Sequence, residues 1–264
     1  MRIAVIGAGA MGEALLSGWI ASGVAPTDIA IVDAYPPRVV ELEERHGVTG
    51  VDLAAAAGQA ETLVLAVKPY QMDAILAELA GHLHDDALVV SIAAGVSLDR
   101  LQKALPGVSV VRVMPNTPAL VGKGMAGIVP GAEASAAQVD RVQELLDAVG
   151  RSIITDEAHL DALTALSGSG PAYLFYVAEA MIEGGVHQGL TRPEATALVN
   201  QTFVGAAAML AESGRSATVL REMVTSPAGT TAAALRSLDD HGVRAAFLDA
   251  VQACARRGAE MATE

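Results

Sequence analysis

The constraint that most limits this chain is its opening: Arg2-Ile3-Ala4-Val5-Ile6, a short apolar run, passes directly into Gly7-Ala8-Gly9-Ala10-Met11-Gly12 and then into the helical stretch Glu13 to Ala21. A strand feeding a helix through glycines at this spacing is the turn used to bind dinucleotides. Gly7 permits the tight turn, Gly9 lets backbone approach a pyrophosphate, and Gly12 lets helix and strand pack closely. The spacing alone is common. Here a second strand, Ile29-Ala30-Ile31-Val32, ends in Asp33, 21 residues after Gly12, about where a carboxylate meets the adenine ribose. A carboxylate there accepts from a free 2'-hydroxyl and repels a 2'-phosphate, which favours NADH over NADPH. Arg38, five residues on, is placed to offset that preference.

The pattern repeats. Thr62 to Val67 reads as a buried strand ending in Lys68-Pro69, and Ala87 to Ile92 as another ending in Ala93-Ala94-Gly95. Such ends fall on the carboxyl edge where open parallel sheets bind ligands, so Ala66, Val67, Lys68, Pro69, Ala93 and Ala94 are candidate coenzyme contacts. Val108 to Val113 is a further strand, followed by the stiff loop Met114 to Gly122 with two prolines. In it Asn116 serves either to hold a ligand amide or as ordinary turn chemistry beside proline. Gly124 to Val129, a helix over Ala134 to Val149 and Ile153-Ile154 follow. Pro36-Pro37 begins a helix that runs to His46.

From Asp156 the alternation stops and helices follow one another. The expected organisation is α/β: an N-terminal Rossmann-type dinucleotide-binding domain over 1–155, then an all-helical domain over 156–264. Ala158 to Leu166, Ala172 to Gly185, Thr191 to about Glu212, Val219 to Val224, Thr230 to Leu238 and Val243 to about Arg257 read as its helices. Thr191 with Glu194 three residues on makes a capping box. The Ala172 helix is apolar on nearly every face, so it is buried against its own domain or a partner chain. With 52% apolar but only 3% aromatic residues, the core is built from small side chains that suit close helix packing.

One loop in this half has the residue order of an anion site. In Thr225-Ser226-Pro227-Ala228-Gly229-Thr230-Thr231, Pro227 disfavours helix at Ser226, Gly229 allows an unusual backbone angle, and Thr230 or Thr231 caps the helix that follows. Unpaired N–H groups at such a start attract carboxylate or phosphate.

Other classes are disfavoured. A net charge of -13 argues against a nucleic-acid partner. No apolar run reaches the ~20 residues of a membrane span free of interruption. Three glycines interrupt the apolar N-terminal stretch, so no targeting segment is expected. Cys254 is the only cysteine and the six histidines lack zinc-protease spacing, so neither a disulfide nor a metal site is expected. A reducing, cytoplasmic setting fits best.

Taken together, Val5 to Gly12, Ala66 to Pro69, Ser91 to Val96, Met114 to Ala119, Leu166 to Tyr173 and Thr225 to Thr231 resemble the motifs of pyrroline-5-carboxylate reductase, in that family's order and over nearly the whole chain. The resemblance implies hydride transfer from NADPH, with NADH possible, to the imine carbon of 1-pyrroline-5-carboxylate, giving L-proline. By similarity Gly7, Ala8, Gly9, Ala10, Met11, Gly12, Lys68 and Ala93-Ala94 contact the coenzyme, and Ser226, Gly229, Thr230 and Thr231 hold the substrate carboxylate and ring nitrogen. Thr231 is the candidate for the nitrogen contact, since a hydroxyl donates or accepts as protonation changes; its alternative role is as a helix cap. The family implies interlocked homodimers, sometimes assembled further. Two departures stand out. Asp33 replaces what is often a neutral residue, and Ala228 stands where many relatives carry a second glycine. A 3-hydroxyacid dehydrogenase is the competing enzyme, but it needs a lysine that the helical half lacks, the lysines being Lys68, Lys103 and Lys123. A nucleotide-sensing protein without turnover is the competing non-enzyme.

Overall fold

The computed structural model describes residues 2–261. β1 (Ile3–Ile6) leads into α1 (Ala10–Ala21), and β2 (Ile29–Val32) into α2 (Pro36–His46). A two-residue edge strand β3 (Thr49–Gly50) precedes α3 (Leu53–Gln59). Then β4 (Thr62–Leu65), α4 (Met72–Leu79), β5 (Leu88–Ser91), α5 (Leu98–Ala104) and β6 (Ser109–Met114) alternate. β7 (Gly124–Pro130), α6 (Ala136–Asp147) and β8 (Gly150–Ile154) complete the α/β part. One sheet results, in the order β3-β2-β1-β4-β5-β6-β7-β8. It is parallel from β3 to β6; β7 runs antiparallel to β6, and β8 parallel to β7.

Side chains alternate across the sheet with the period of two that strands impose. Val5, Ile31, Val64, Val90 and Val111 pack with Leu15, Leu16 and Trp19 of α1 and Val142 and Leu146 of α6. Ala4, Ala30, Leu63, Leu65, Val89 and Val110 pack with residues of α3, α4 and α5 such as Ala56, Leu76 and Leu101. Covered on both faces, the strands read as continuous apolar runs. Trp19 is 1% exposed and donates its indole N–H to the Leu145 carbonyl at 2.8 Å, which satisfies the one polar group of a buried tryptophan. Strand order reverses between β1 and β4, so the crevice for a ligand opens at their carboxyl ends.

The Rossmann-type expectation holds, with differences in detail. α3, α4, α5 and β3 were not anticipated from the sequence, and the strands expected over Thr62 to Val67 and Ala87 to Ile92 are the shorter β4 and β5.

After β8 the chain turns through Glu157–His159 into α7 (Leu160–Leu163), which widens into a π-helical turn over Thr164–Gly168 before α8 (Gly170–His187). α9 (Arg192–Glu212), α10 (Ala217–Met223), α11 (Thr230–Asp240) and α12 (Val243–Met261) follow. The capping box on α9 forms: Glu194 N–H donates to Thr191 Oγ1 at 3.4 Å, and Thr191 N–H donates to Glu194 Oε2 at 2.8 Å. The Thr191 hydroxyl also donates to Glu194 Oε2 at 2.6 Å, and this bond, followed by that from the Thr191 N–H, holds the Glu194 carboxyl below its ordinary pKa. Of the described residues, 2–169 with 254–261 form one packed unit and Gly170–Ala253 a second. In the second unit only Ala195 and Val199 are buried. Leu174, Phe175 and Tyr176 of α8 are 56, 69 and 75% exposed, so a single chain does not provide the burial expected for that helix. Among the described residues no helix is long and apolar enough to cross a membrane.

Candidate active site

At the carboxyl edge of β1 the backbone does what the glycine spacing requires. Gly7 has φ +94°, and a Cβ there would lie 2.8 Å from three backbone atoms of Ala66 and Val67. A Cβ on Gly12 would lie 2.4 Å from the Gly7 carbonyl oxygen. Gly9 differs: a Cβ there would meet no protein atom within 4 Å, and Gly9 and Ala10 are exposed. Gly9 is also the N-cap of α1 and brings no side-chain acceptor to its first N–H groups.

Asp33 and Arg38 clamp the Ala8 peptide between them. Asp33 Oδ2 accepts the Ala8 N–H at 2.8 Å, while Arg38 Nε donates to the Ala8 carbonyl at 2.9 Å. Asp33 Oδ1 accepts the Tyr35 N–H at 2.9 Å. Each carboxylate oxygen keeps a further lone pair for a ribose hydroxyl. Arg38 is not a free cation: its remaining nitrogens bond Glu41 and Glu13. Glu13, in the first turn of α1, would repel a pyrophosphate if its charge were uncompensated, but it also takes Arg45 Nη1 at 2.6 Å and His46 Nε2 at 3.0 Å. Burial acts to raise the Glu13 pKa; the bonds from His46, Arg38 and Arg45 outweigh it and lower it to about 2. The part played by Glu13 was not read from the sequence, because its partners Arg38, Arg45 and His46 lie 25 to 33 positions from it.

Ala66 and Val67 border the Gly7 turn, and the next strand end lies beside them, with Ile92 N–H donating to the Leu65 carbonyl at 3.0 Å. Ala93 is buried, whereas Ala94 and Lys68 are exposed. Pro69 opens a short turn closed by Lys68 N–H donating to Gln71 Oε1 at 3.1 Å.

Asn116 has a structural role beside the two considered for it. It is 8% exposed, its Oδ1 accepts the Met125 N–H at 2.8 Å, and its Nδ2 donates to the Ser167 carbonyl at 2.9 Å. A regular helix would give that carbonyl the N–H of residue 171, but residue 171 is proline and has none. The turn instead widens, Ser169 N–H bonding the Thr164 carbonyl at 2.8 Å, and Asn116 supplies the missing donor. One N–H and one lone pair of its amide are thus taken up by the protein.

In the second unit the Ser226 loop closes as a β-turn, with Gly229 N–H donating to the Ser226 carbonyl at 3.0 Å. Pro227 takes the second position and Ala228 the third, at φ +57°, the only positive φ on a non-glycine among the described residues. Two expectations are corrected. The left-handed residue is Ala228; Gly229 is extended, at φ -79° and ψ 173°. Gly229 is needed for space, since a Cβ would lie 2.4 Å from Ser226 Oγ and 3.1 Å from Ser226 O. Neither threonine caps α11 either: Gly229 is the N-cap, Thr230 and Thr231 are the first two helical residues, and no side chain caps that end. By contrast Asp52, Ser97, Ser135, Thr191 and Ser216 cap their helices. An open groove of about 680 Å³ in this unit, lined by Arg221, Thr225, Leu235, Asp239, Arg244 and Phe247 among others, includes none of Ser226, Gly229, Thr230 or Thr231.

Comparison with known proteins places the chain in a family. Residues 157–261 match the family model described as pyrroline-5-carboxylate reductase dimerisation, and residues 2–95 match one described as NADP oxidoreductase coenzyme F420-dependent. The chain is 46% identical to a pyrroline-5-carboxylate reductase of Corynebacterium melassecola over 98% of both chains. Among solved structures it is similar to a pyrroline-5-carboxylate reductase from Coxiella burnetii (TM-score 0.94, 35% identity, 98% of each chain). Another is that of Plasmodium falciparum pyrroline carboxylate reductase with NADP bound (TM-score 0.88, 26% identity, 99% of this chain and 98% of that one).

Proposed function

Since the chain belongs to the pyrroline-5-carboxylate reductase family, we propose that its Gly7–Gly12 turn holds the coenzyme pyrophosphate and its Ser226–Thr231 turn the substrate carboxylate. The enzyme is an oxidoreductase that reduces 1-pyrroline-5-carboxylate to L-proline with NAD(P)H. The observation that carries the assignment is that α1 and α11 both begin at a glycine N-cap with no side-chain acceptor, which leaves their first N–H groups for an anion. The open space over Gly9 fits a pyrophosphate. The bound nicotinamide supplies the hydride, delivered to a carbon roughly 3 to 3.5 Å away. The protein's part is to hold both partners: Ala66, Val67, Lys68, Pro69, Ala93 and Ala94 along the coenzyme, and the N–H groups from Thr230 onward on the carboxylate. The division of labour follows the expected domains, with residues 1–155 for the coenzyme and the helical part from 156 for substrate and self-association, although 156–169 and 254–261 pack with the first unit. Asn116 supports the scaffold. The direct test is NADPH absorbance, which should fall on addition of 1-pyrroline-5-carboxylate; no fall would refute the assignment.

Thr231 is assigned the contact to the ring nitrogen. Thr231→Ala is expected to lower kcat by about tenfold to a hundredfold, the loss of a hydrogen bond of about 1 to 3 kcal/mol that strengthens as the nitrogen changes charge. Because Thr231 is not the helix cap, thermal stability should hardly change. Steady-state kinetics beside a melting curve check both, and wild-type kcat would remove the role.

For the coenzyme, Asp33→Ser is expected to raise the NADPH over NADH preference in kcat/KM by about tenfold, since relieving one partly screened like-charge contact is worth on the order of 1 to 2 kcal/mol. KM for both coenzymes should rise as well, because the Ala8 N–H loses its acceptor. An unchanged ratio would show that Asp33 does not face the ribose.

We also read the second unit as the surface of self-association, in a homodimer or a higher assembly. With two residues buried in it, that unit lacks the burial a stable domain needs, and the groove walls Leu235, Leu238, Phe247 and Leu248 belong to the uncovered surface. Light scattering is expected to give at least twice the chain mass at micromolar concentration; a stable, active monomer would contradict it. A cytoplasmic setting accords with a single cysteine.

A further inference from the structure

One buried ionic group has no part in the roles assigned so far. Arg112, on β6, is 8% exposed, and its Nη1 pairs with Oε1 of Glu157, the first residue of the turn after β8. The same Oε1 accepts the N–H of Leu98, the first residue of α5, at 3.0 Å. Glu157 Oε2 is shielded from solvent with no hydrogen-bond partner among the described residues. The Glu157 side chain as a whole is 38% exposed, but this oxygen is shielded, and a shielded carboxylate oxygen left unpartnered is costly, so stability alone does not account for the pair.

What it holds is the connection from β5 to α5. That connection carries Ala93, exposed Ala94 and Gly95 at φ +75°. Its near end is fixed where Ile92 N–H bonds the Leu65 carbonyl at 3.0 Å. Its far end is fixed twice: Ser97 Oγ accepts the Arg100 N–H at 3.3 Å, and Glu157 reaches across 59 positions to the Leu98 N–H. Arg112 in turn sets the direction of the Glu157 carboxylate from within the neighbouring strand, where it is in register with Ser91, the last residue of β5.

We propose that Glu157, oriented by Arg112, is a positioning residue for the nicotinamide end of the coenzyme, acting by fixing the Ala93-Ala94-Gly95 turn. This rests on the assignment of Ala93 and Ala94 as coenzyme contacts, and on their place at the end of β5, across the β1 turn from the β2 end where Asp33 is assigned to the adenine ribose. It predicts a defect confined to one half of the dinucleotide, which general destabilisation does not produce.

The test is calorimetric titration of the intact protein with NADP+ and with adenosine 2',5'-bisphosphate, which lacks the nicotinamide half. Glu157→Ala should weaken NADP+ binding by about tenfold while changing adenosine 2',5'-bisphosphate binding less than twofold, and kcat should fall more than the KM for 1-pyrroline-5-carboxylate rises. Glu157→Gln, which keeps an oxygen to accept the Leu98 N–H, should recover part of the NADP+ affinity. If Glu157→Ala does not fold, Glu157→Gln carries the same comparison with a smaller difference between the two ligands. Equal affinities to wild type for both ligands, or equal weakening of both, would overturn the proposal. Ala94→Leu separates the two levels: if it leaves NADP+ binding unchanged, the contact assignment itself fails. If it weakens NADP+ while neither Glu157 variant does, only the positioning role fails.

Discussion

Gly229→Val is expected to lower kcat/KM for 1-pyrroline-5-carboxylate by about a hundredfold or more while leaving NADP+ affinity unchanged. Its first added carbon would stand 2.4 Å from Ser226 Oγ and 3.1 Å from the Ser226 carbonyl oxygen. The hydroxyl can rotate away, but the carbonyl belongs to the turn itself and must give by a few tenths of an ångström for a Cβ alone; the two γ carbons of valine add to that crowding, so the first N–H groups of α11 shift with the turn. Displacement of a binding group by about 1 Å can cost a hundredfold in rate. Ala228→Gly is the matched control. A left-handed alanine carries roughly 1 to 2 kcal/mol of strain, and glycine removes it at an entropic cost of about 0.5 to 1 kcal/mol, so that variant should be active and no less stable. Steady-state kinetics on both variants check the pair, and a Gly229→Val enzyme with wild-type KM would place the carboxylate elsewhere.

Asn116→Ala is expected to be the most destabilising of the side-chain truncations considered. It strands the Ser167 carbonyl and the Met125 N–H together, each at about 1 to 3 kcal/mol when buried. For a chain of this size each kcal/mol lowers Tm by roughly 2 to 4 °C, so a drop within about 4 to 24 °C should appear in calorimetry, toward the lower end because Met125 and Ser167 are half-buried. A change under about 1 kcal/mol would mean that water takes over both bonds and that the π-turn does not depend on Asn116.

The strands of the sheet were readable because residues such as Val64 and Val89 are covered on both faces, and a doubly covered strand shows as an unbroken apolar run. The short helices α3, α4 and α5 have only seven or eight residues, too few turns for a helical period to stand out. Parallel pairing of β4 with β5 and β5 with β6 nevertheless demands crossovers there. Ala228 was not legible: Pro227 suits the second position of type I and type II turns alike, and the type II turn that forms puts its left-handed third residue on an alanine where glycine is the usual choice. The bonds of Asn116 to Ser167 and of Glu157 to Leu98 span 51 and 59 positions, and no local pattern encodes them. The exposure of Leu174, Phe175 and Tyr176 was half legible, since an all-round apolar helix states that it is covered without saying by what.

The most direct test of the carboxylate site compares kcat/KM for 1-pyrroline-5-carboxylate and for 1-pyrroline, which lacks the carboxylate, in wild type and Gly229→Val with saturating NADPH. A hydrogen-bonded anion at the start of α11 should give wild type a preference of about tenfold to a hundredfold or more for the carboxylate substrate, the worth of one or two charge-assisted bonds, and Gly229→Val should erase most of it. Equal rates on the two imines in wild type would contradict an anion site at Ser226–Thr231.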